Sequence, residues 1–523
     1  MKLKPRSFVV LCALLLAQVA TAVDYQNPVL RGDFPDPSVI RVGEDYWATA
    51  TASEWAPLFP ILHSRDLINW ELKGHVFSEK PTWSKQNYWA PELEYHKGTF
   101  FVYYTGRNPK DNRLHIAVAT APDALGPWTD HGPMIGQEDG SIDGIIETDE
   151  KGDRYMLWKN DGNSRNEPTF IYAQKLSEDG LKLVGEMKQL IRNDQPWEGK
   201  LIEGPDVLKR GDYFYMFYAG AGCCGKQCSY GTGVARSKSL LGPYEKYAKN
   251  PIVTHNDEWR CPGHGTIVST PDGRDFFLYH AYDAKDTVYV GRQGVLDEIK
   301  WGADGWPSIN QGRGTSALAK SPFGKAQKPR TDFEDDFTNE KLGLHWQWPH
   351  IMEPSYKIEK GELILRTGEG RGDNLFGSAV AVQTSTGNYA ATTLVHTIDL
   401  QNGSKAGLFA FGDWHNAIGI VLGGGKAELI KRHRNKDEAL ASIKIPESEK
   451  VYLRMTATDG HKLSFAVWAD GKWLEIGADL NVSGDFLPPW DRGVRVALTA
   501  GGSESATARF DWLRVINQEI AAK

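Results

Sequence analysis

A hairpin-like segment is repeated five times in the N-terminal part of the chain. Each copy starts on small or polar residues, continues as a β-rich run, makes a turn that contains glycine and ends in an aromatic run. Such a pattern is typical of a β-hairpin. The copies span residues 32–51, 90–105, 143–158, 203–218 and 264–280. The repeat therefore predicts an array of small antiparallel sheets.

A second motif lies between the hairpins and sets the length of the repeat. The motif "SRDLINW" ends at Trp70, "PDALGPW" ends 58 residues later at Trp128, and "SKSLLGPY" ends at Tyr244 after a further 116 residues, which is twice 58. A period of this length with several strands in each unit is typical of a β-propeller. Five hairpins thus predict an all-β protein that begins with a five-bladed β-propeller over residues 23–310.

The pattern changes after residue 310. Residues 311–332 are rich in turn-forming residues and predict a linker. Residues 333–523 contain short alternating strands with regular turns, which predict a β-sandwich. Two domains agree with a length of 523 residues, which is too long for one ordinary core.

Residues 1–22 have the pattern of a secretory signal peptide. A basic start is followed by an almost wholly apolar run over residues 8–19, and Ala20-Thr21-Ala22 forms a small-x-small cleavage site. The apolar run is too short to span a membrane. We therefore predict cleavage after Ala22 and a secreted or periplasmic protein, with a membrane anchor as the alternative.

The cysteines left after cleavage are expected to form disulfides. They are Cys223, Cys224, Cys228 and Cys261. An even count in an exported chain favours disulfides. Because adjacent cysteines rarely bridge each other, one of Cys223 and Cys224 is expected to pair with Cys228 and the other with Cys261. A zinc site is the alternative, although no neighbouring ligand pattern supports it.

The repeat starts would converge on one place, because the first strand of each propeller blade lies nearest the axis. At or within a residue of these starts lie Asp36, Pro91, Asp143, Glu203 and His264. Three carboxylates from three blades would then share one channel. Like charges close together destabilise a fold, so this arrangement indicates chemistry. The nearby Asp33 is predicted to be a turn residue.

On these residues the chain resembles glycoside hydrolase family 43. The motifs are "FPDPS" at 34–38, "NYWAPE" at 87–92, "SIDG" at 141–144, "EGP" at 203–205, "PGHG" at 262–265 and "LDEIKWGADGWP" at 296–307. Each motif is weak alone, but their order and their places at blade starts make the set specific. The resemblance covers residues 26–310, and the C-terminal part resembles the concanavalin-like sandwich that follows the propeller in many xylosidase-type members.

The resemblance implies an inverting mechanism with three acidic residues. Asp36 would be the general base, Glu203 the general acid and Asp143 the residue that tunes the acid. Inversion needs a water between base and sugar, so the two carboxyls lie about 6.5–9.5 Å apart, and residues on separate blades can provide this gap. A general acid has to stay protonated, and an ionised Asp143 nearby would raise the pKa of Glu203.

The same resemblance places Trp89, His264 and Arg292 against the sugar, and Trp55 is a further candidate. Packing inside a blade is the alternative for both tryptophans, and a core histidine bonded to backbone is the alternative for His264. The acid–base mechanism requires no cofactor. A structural Ca²⁺ or other ion in the channel beside His264 is left open.

The sequence therefore predicts an exported glycoside hydrolase whose partner is an oligosaccharide or polysaccharide. The net charge of −7, with no basic excess, argues against nucleic acid as a partner. We expect exo action on β-xylosides or α-L-arabinofuranosides of plant cell walls, because in similar enzymes the sandwich can narrow the site into a pocket. The alternatives are an endo-arabinanase, an exo-galactanase or a non-catalytic carbohydrate-binding protein, and the sequence leaves the oligomeric state open.

Overall fold

The computed structural model describes residues 24–323, 327, 331–371 and 374–518, so the signal peptide predicted over residues 1–22 lies outside the described residues. Within these ranges the regular structure is β-strand apart from four short 3-10 helices. The helices are Gly162–Arg165, Pro196–Glu198, Thr287–Tyr289 and Asn310–Gly312. None of the helices in the described ranges is long and apolar enough to cross a membrane.

Five four-stranded antiparallel sheets, here called the five-sheet unit, follow the first short strand β1 (Asp24–Gln26). Sheet 1 contains β2 (Ser38–Val42), β3 (Asp45–Thr49), β5 (Leu58–Ser64) and β6 (Glu71–Phe77), with the short β4 (Trp55–Ala56) before β5. Sheet 2 contains β7 (Gln86–His96), β8 (Thr99–Arg107), β9 (Leu114–Ala121) and β10 (Thr129–Ile135). Sheet 3 contains β11 (Ser141–Thr148), β12 (Arg154–Asn160), β13 (Phe170–Leu176) and β14 (Leu183–Arg192). Sheet 4 contains β15 (Ile202–Arg210), β16 (Tyr213–Gly220), β17 (Gly231–Ser237) and β18 (Glu245–Lys246), and sheet 5 contains β19 (Trp259–Ser269), β20 (Asp275–Asp283), β21 (Gln293–Trp301) and β22 (Pro307–Ile309).

The first strands of the five sheets contact one another in a closed order, β2 to β7, β11, β15, β19 and back to β2. The second strands are almost wholly buried, as in the run YFYMFYAG of β16, whereas the outer strand β10 alternates between exposed and half-buried residues. Buried aromatic residues fill the space between neighbouring sheets, such as Phe217 of β16 and Phe277 of β20 with ring centres 5.7 Å apart. The starts of the first strands are therefore brought together.

Part of the predicted linker is packed on the five-sheet unit. Strand β23 (Leu318–Lys320) pairs with β1, and the Ser316 backbone N–H donates a hydrogen bond to the Asp297 carboxylate at 3.2 Å. Thr315 and Ser316 are buried. This part of the predicted linker is therefore held against the five-sheet unit, because the N-terminal strand needs a partner for its backbone hydrogen bonds.

Two further sheets form the C-terminal unit. The larger contains β26 (Ser355–Glu359), β27 (Glu362–Arg366), β38 (Thr507–Asn517), β29 (Tyr389–His396), β34 (Lys450–Thr458), β35 (Lys462–Ala469) and β36 (Lys472–Glu475), with β24 (Phe333–Asp335) paired to β38. The smaller contains β28 (Ser378–Gln383), β37 (Arg495–Gly501), β30 (Lys405–Asp413), β31 (Asn416–Gly423), β32 (Lys426–His433) and β33 (Lys436–Lys444). Leu408 and Ile420 of the smaller sheet share one buried core with Leu453 and Phe510 of the larger sheet. The C-terminal unit is therefore a β-sandwich.

The sandwich is joined to the five-sheet unit by backbone pairing and by a buried ion pair. Strand β25 (Trp348–Pro349) pairs with β4. Arg495 lies 2.9 Å from Asp33, and both side chains are almost completely buried. The Gly493 N–H also donates to Asp33 at 3.0 Å. Asp33 lies in a bend, as predicted, and its carboxylate in addition joins the two units.

The disulfides differ from the predicted pairing. Cys228 bridges Cys261, and Cys223 bridges its neighbour Cys224. The loop folds back on itself through a hydrogen bond from the Ser229 N–H to the Gly222 carbonyl at 2.8 Å. Cys228 is thereby placed with its Cα 6.0 Å from that of Cys261, an ordinary disulfide separation, and the two adjacent cysteines are left to each other. All four sulfurs are used in disulfides, so the zinc alternative is also wrong.

Candidate active site

Asp36, Asp143 and Glu203 lie at the starts of the first strands of three different sheets. Asp36 precedes β2, Asp143 lies in β11 and Glu203 in β15, and all three side chains are buried. Asp36 and Asp143 have positive φ values of 51° and 59°, and a β-bulge interrupts the pairing near the starts of β11 and β15. A bulge re-aims a side chain relative to the regular pleat. The strand starts can thus present carboxylates to a common centre.

The carboxylates and His264 meet at a small cavity. Asp36, Asp143 and His264 line a cavity of about 10 Å³, which is room for about one water. Glu203 joins them through the residue that follows it, since the Gly204 N–H donates a hydrogen bond to Asp143 at 3.0 Å. A Cβ at Gly204 would lie 2.6 Å from the His264 ring, so glycine is required for this close approach. The predicted site residues from four sheets therefore share one centre.

Asp36 is held as a carboxylate by positive and polar neighbours. Its Oδ1 lies 2.9 Å from Nη1 of Arg292 and 3.3 Å from Nδ1 of His264, and its Oδ2 accepts a hydrogen bond from the Thr51 hydroxyl at 2.7 Å. Burial alone raises the pKa of Asp36, but Arg292 and the two nearby histidines outweigh burial and hold that pKa well below its ordinary value. Asp36 is therefore ionised at neutral pH, as a general base has to be.

His280 contacts the backbone of Asp36. The sequence analysis did not identify this residue. The Asp36 backbone N–H donates to Nδ1 of His280 at 3.1 Å, and the ring is completely buried. Burial lowers the pKa of His280 to about 4, and Arg292 adds to this effect. His280 is therefore a neutral acceptor at pH 7. Its place at the end of the fifth hairpin was a usable signal, because a histidine there follows an apolar strand.

Glu203 lies between a lysine and a tyrosine. Its Oε2 accepts a hydrogen bond from Nζ of Lys159 at 2.8 Å, and its Oε1 accepts one from the Tyr230 hydroxyl at 2.7 Å. Burial raises the pKa of Glu203, but Lys159 and then Tyr230 outweigh burial, so the pKa is lower than normal. The structure thus differs from the expectation that Glu203 is kept protonated, because the expectation did not include a buried lysine.

Asp143 shows the opposite shift. Burial raises the pKa of Asp143 to about 6; His264 opposes this effect and the negative charge of Glu203 adds to it. As the pH falls, Asp143 is therefore protonated before Glu203. The two carboxyls are electrostatically coupled, so a proton taken up by one of them lowers the proton affinity of the other.

The remaining predicted residues are Trp89, Arg292 and Trp55, and they lie in different surroundings. Trp89 is half-buried at the start of β7, and its ring meets that of Trp490 from the sandwich edge to face, with ring centres 5.7 Å apart. Arg292 lies behind Asp36, where its Nη2 also donates to the Asp491 carbonyl at 3.1 Å. Trp55 is buried at the junction with the sandwich under Arg495, whose Cζ lies 4.7 Å from the ring centre. Packing, the alternative for Trp55, is what the structure shows.

A metal site beside His264 has no set of ligands to support it. In the described part of the chain, one group of three His, Cys, Asp or Glu side chains brings its ligand atoms within 4.8 Å of one another, and it lies in the sandwich: Glu362, His396 and Asp511. The carboxylates of that group are already paired with Arg509 and Lys450. His264 is bound instead to Asp36, so the core-histidine alternative with backbone partners does not describe it either.

The arrangement matches a known family. The sequence profile described as "Glycosyl hydrolases family 43" matches residues 25–307, more than half of the chain, and this range includes the three carboxylates. The chain belongs to glycosyl hydrolase family 43. A second profile, "Beta xylosidase C-terminal Concanavalin A-like domain", matches residues 334–516. The resemblance seen in the motifs is thereby confirmed for both parts of the chain.

Relatives within family 43 extend over nearly the whole chain. A protein named "Xylosidase/arabinosidase 43B" from Humicola insolens is 29% identical over 499 residues, which cover 88% of this chain and 89% of the relative. A "Non-reducing end alpha-L-arabinofuranosidase" from Bacteroides ovatus is 27% identical and covers 98% of both chains. The family and these relatives identify the chain as a glycoside hydrolase.

Solved family 43 structures have the same fold. The GH43 protein BlXynB from Bacillus licheniformis superposes with a TM-score of 0.80 at 27% identity, covering 95% of this chain and 100% of that chain. A xylan beta-1,4-xylosidase from Bacillus halodurans superposes with a TM-score of 0.78 at 24% identity, covering 94% and 100%. A family 43 structure therefore contains both the five-sheet unit and the sandwich of this chain.

Proposed function

We propose that this family 43 enzyme is an exported, inverting, exo-acting glycosidase that removes β-xylosyl or α-L-arabinofuranosyl units from plant cell-wall polysaccharide. The observation that carries the proposal is that Asp36, Asp143 and Glu203, at the starts of the first strands of three sheets, surround one centre. The names of the relatives support xylosides and arabinofuranosides as the substrate class. The five sheets are the blades of a β-propeller, as their closed ring of first strands suggests.

Asp36 acts as the general base and Glu203 as the general acid. Asp36, held ionised by Arg292, takes a proton from a water that attacks the anomeric carbon. Glu203, in its protonated fraction, gives a proton to the leaving oxygen as the glycosidic bond breaks. The attack and the departure occur on opposite faces of the sugar, so the product anomer is inverted. Asp143, linked to the Glu203 backbone through Gly204, keeps a proton within the pair and tunes the acid.

Exo action is supported by the loop that the sandwich contributes. Trp490 meets Trp89, and Asp491 binds Arg292 through its carbonyl. Trp490 is 57% exposed, so much of its surface is free to meet a sugar. A wall built from the second unit closes one side of the site and favours a pocket for a chain end over an open cleft.

Export is supported by the disulfides Cys223–Cys224 and Cys228–Cys261, since such bonds persist in oxidising compartments. The predicted signal peptide at residues 1–22 agrees with this proposal. Sequencing the N-terminus of protein secreted by an expressing host tests it, and a mature chain beginning at Val23 is the expected result.

The test of the activity is a panel of aryl β-xyloside, α-L-arabinofuranoside and β-galactoside substrates. The expected result is hydrolysis of at least one of the two pentosides. The anomer formed first, followed by NMR before mutarotation, is expected to be inverted. Activity on a polymer with none on the aryl glycosides would overturn the exo proposal and favour an endo-arabinanase. A retained anomer would mean that the second carboxylate is a nucleophile.

A further inference from the structure

Lys159 is a charged residue in an otherwise apolar stretch at the centre of the enzyme. It lies in β12 after Leu157 and Trp158, which are completely buried, and its own exposure is 1%. A buried ammonium group is costly unless negative charges balance it. The proposed acid–base mechanism assigns no part to this lysine, so its position calls for an explanation.

Two carboxylates share the Lys159 ammonium group. Nζ lies 2.8 Å from Oε2 of Glu203 and 3.3 Å from Oδ1 of Asp161. An ammonium group has three donors, so it can hold both carboxylates at once. Burial lowers the pKa of Lys159, but Glu203 and Asp161 outweigh burial and raise it above its ordinary value. Lys159 is therefore charged at neutral pH.

We propose that Lys159 and Asp161 form a positioning pair that orients the Glu203 carboxyl and adjusts how readily it holds a proton. This inference rests on the proposed role of Glu203 as general acid. Lys159 acts through Glu203 and is a positioning residue. Asp161 in turn acts through Lys159, since its carboxylate is the second partner of the same ammonium group.

Asp161 offsets the effect that the Lys159 charge alone would have on the protonation of Glu203. A lysine 2.8 Å away favours the Glu203 anion, whereas a general acid has to carry a proton. When Glu203 takes up a proton, Lys159 keeps Asp161 as its counter-ion and is not left as an unbalanced buried charge. Asp161 therefore lowers the free-energy cost of protonating Glu203. The positive charge of Lys159 has the opposite effect and lowers the pKa of Glu203.

Other charged groups also face Glu203. Asp143 of β11 raises the proton affinity of the pair, whereas His264 of β19 favours the Glu203 anion. The Tyr230 hydroxyl, next to β17, donates to Glu203 and also favours the anion. The Lys159 charge also lowers the pKa of Asp143, so Lys159→Met is expected to raise the pKa of both carboxyls. Opposite shifts of the limb in Lys159→Met and Asp161→Asn therefore report on the positioning pair.

The test compares the pH dependence of kcat/KM of Lys159→Met and Asp161→Asn with that of the wild type on a pentoside with a poor leaving group. Removing the Lys159 charge raises the pKa of Glu203, so the alkaline limb is expected to move up by about one pH unit. Removing the Asp161 charge leaves Lys159 to Glu203 alone, so that limb is expected to move down by about half a unit. Lys159→Arg keeps the charge and is the matched control, with a limb close to that of the wild type.

A second substrate separates failure of this inference from failure of the proposed function. An activated aryl glycoside needs little acid assistance, so it reports whether the site is intact in each variant. If Glu203→Gln is inactive on the poor leaving group but the limbs of both test variants coincide with the wild type, the positioning pair is wrong and the general acid stands. If Glu203→Gln keeps full activity, the proposed function is wrong. If Lys159→Met does not fold, Asp161→Asn decides, because Asn still accepts a hydrogen bond from Lys159.

Discussion

Trp490 of the sandwich and Trp89 of the five-sheet unit meet edge to face, with ring centres 5.7 Å apart and planes at 85°. Trp89 lies in β7, the first strand of sheet 2, and Trp490 lies in the loop between β36 and β37. The contact brings an exposed aromatic side chain of the second unit beside Trp89, which we propose faces the sugar. Under this proposal the sandwich contributes to the candidate active site.

Replacing Trp490 by Ala is expected to raise KM about tenfold with a smaller change in kcat, because an aromatic sugar contact worth about 1.4 kcal/mol is lost. Trp468→Ala is the matched control, since Trp468 makes a similar edge-to-face contact with Trp473 inside the sandwich, with ring centres 5.5 Å apart. Steady-state kinetics on the preferred pentoside measures the effect. An unchanged KM for Trp490→Ala would remove this residue from the site.

Asp36→Asn and Glu203→Gln are each expected to lower kcat/KM by about 10²–10⁴-fold while the fold persists, because each removes one proton-transfer group. Glu203→Gln is expected to lose less on an activated aryl glycoside than on a substrate with a poor leaving group, whereas Asp36→Asn should lose on both. Kinetics and circular dichroism of the purified variants check this. Near-normal turnover by either folded variant would remove that residue from the mechanism.

The ion pair between Asp33 and Arg495 is expected to be important for stability. Asp33→Ala leaves the buried Arg495 charge without its partner, and the expected cost is about 3–5 kcal/mol. The exposed pair of Glu44 and Arg65, 3.1 Å apart, is the control, because Glu44→Ala should change stability by less than about 1 kcal/mol. Thermal melting measures both. Equal effects of the two substitutions would show that Asp33 does not hold the units together.

The half-buried Asp206 is expected to make stability fall with rising pH. Burial raises its pKa to about 8, with Glu147 adding to the effect, and in the unfolded chain the pKa is about 3.9. The folded protein therefore binds the extra proton between these values, so the stability that it contributes is complete below pH 4 and is lost as the pH rises to 8. From pH 5 to pH 8, the melting temperature of the wild type is expected to fall progressively relative to that of Asp206→Asn. Parallel melting curves would contradict the shift.

The Cys228–Cys261 disulfide spans 33 residues, so its loss is expected to cost about 2–4 kcal/mol of stability. The double variant Cys228→Ser, Cys261→Ser tests this by thermal melting. The control is Cys223→Ser, Cys224→Ser, because a bridge between adjacent residues closes almost no loop. A larger loss of stability in the control than in the test variant would contradict the expectation.

Much of this protein could be predicted from local patterns in the sequence. The five hairpins, each with its glycine turn and aromatic run, correspond to the first two strands of the five sheets, since strand alternation and turn chemistry are short-range signals. The three carboxylates could be found because each occupies the same place in its repeat. A repeated strand start is brought to the same region of the fold whenever the repeats close into a ring.

The parts that the sequence analysis missed depend on contacts between distant residues. The sequence analysis did not consider Lys159, although its place after a run of apolar residues was a signal, and this lysine lowers the pKa of Glu203 where a raised pKa was expected. The disulfide pairing followed from a loop that folds back on itself, which residue spacing does not show. Asp33 looked like any acid in a turn until Arg495, 462 positions away, was placed beside it.

The sequence by itself therefore determined the strand pattern and the family, and it predicted the three carboxylates that we propose carry out the reaction. Only the tertiary structure decided which charge faces each carboxylate and which side chains of the sandwich complete the site. The physical reason is that the two kinds of signal act over different distances. Hydrophobic alternation and turns depend on residues that are close in sequence. A pKa depends on the groups within a few ångströms in space, which can be far away in sequence. The ionised Asp36 and the lysine beside Glu203 are both products of such long-range packing.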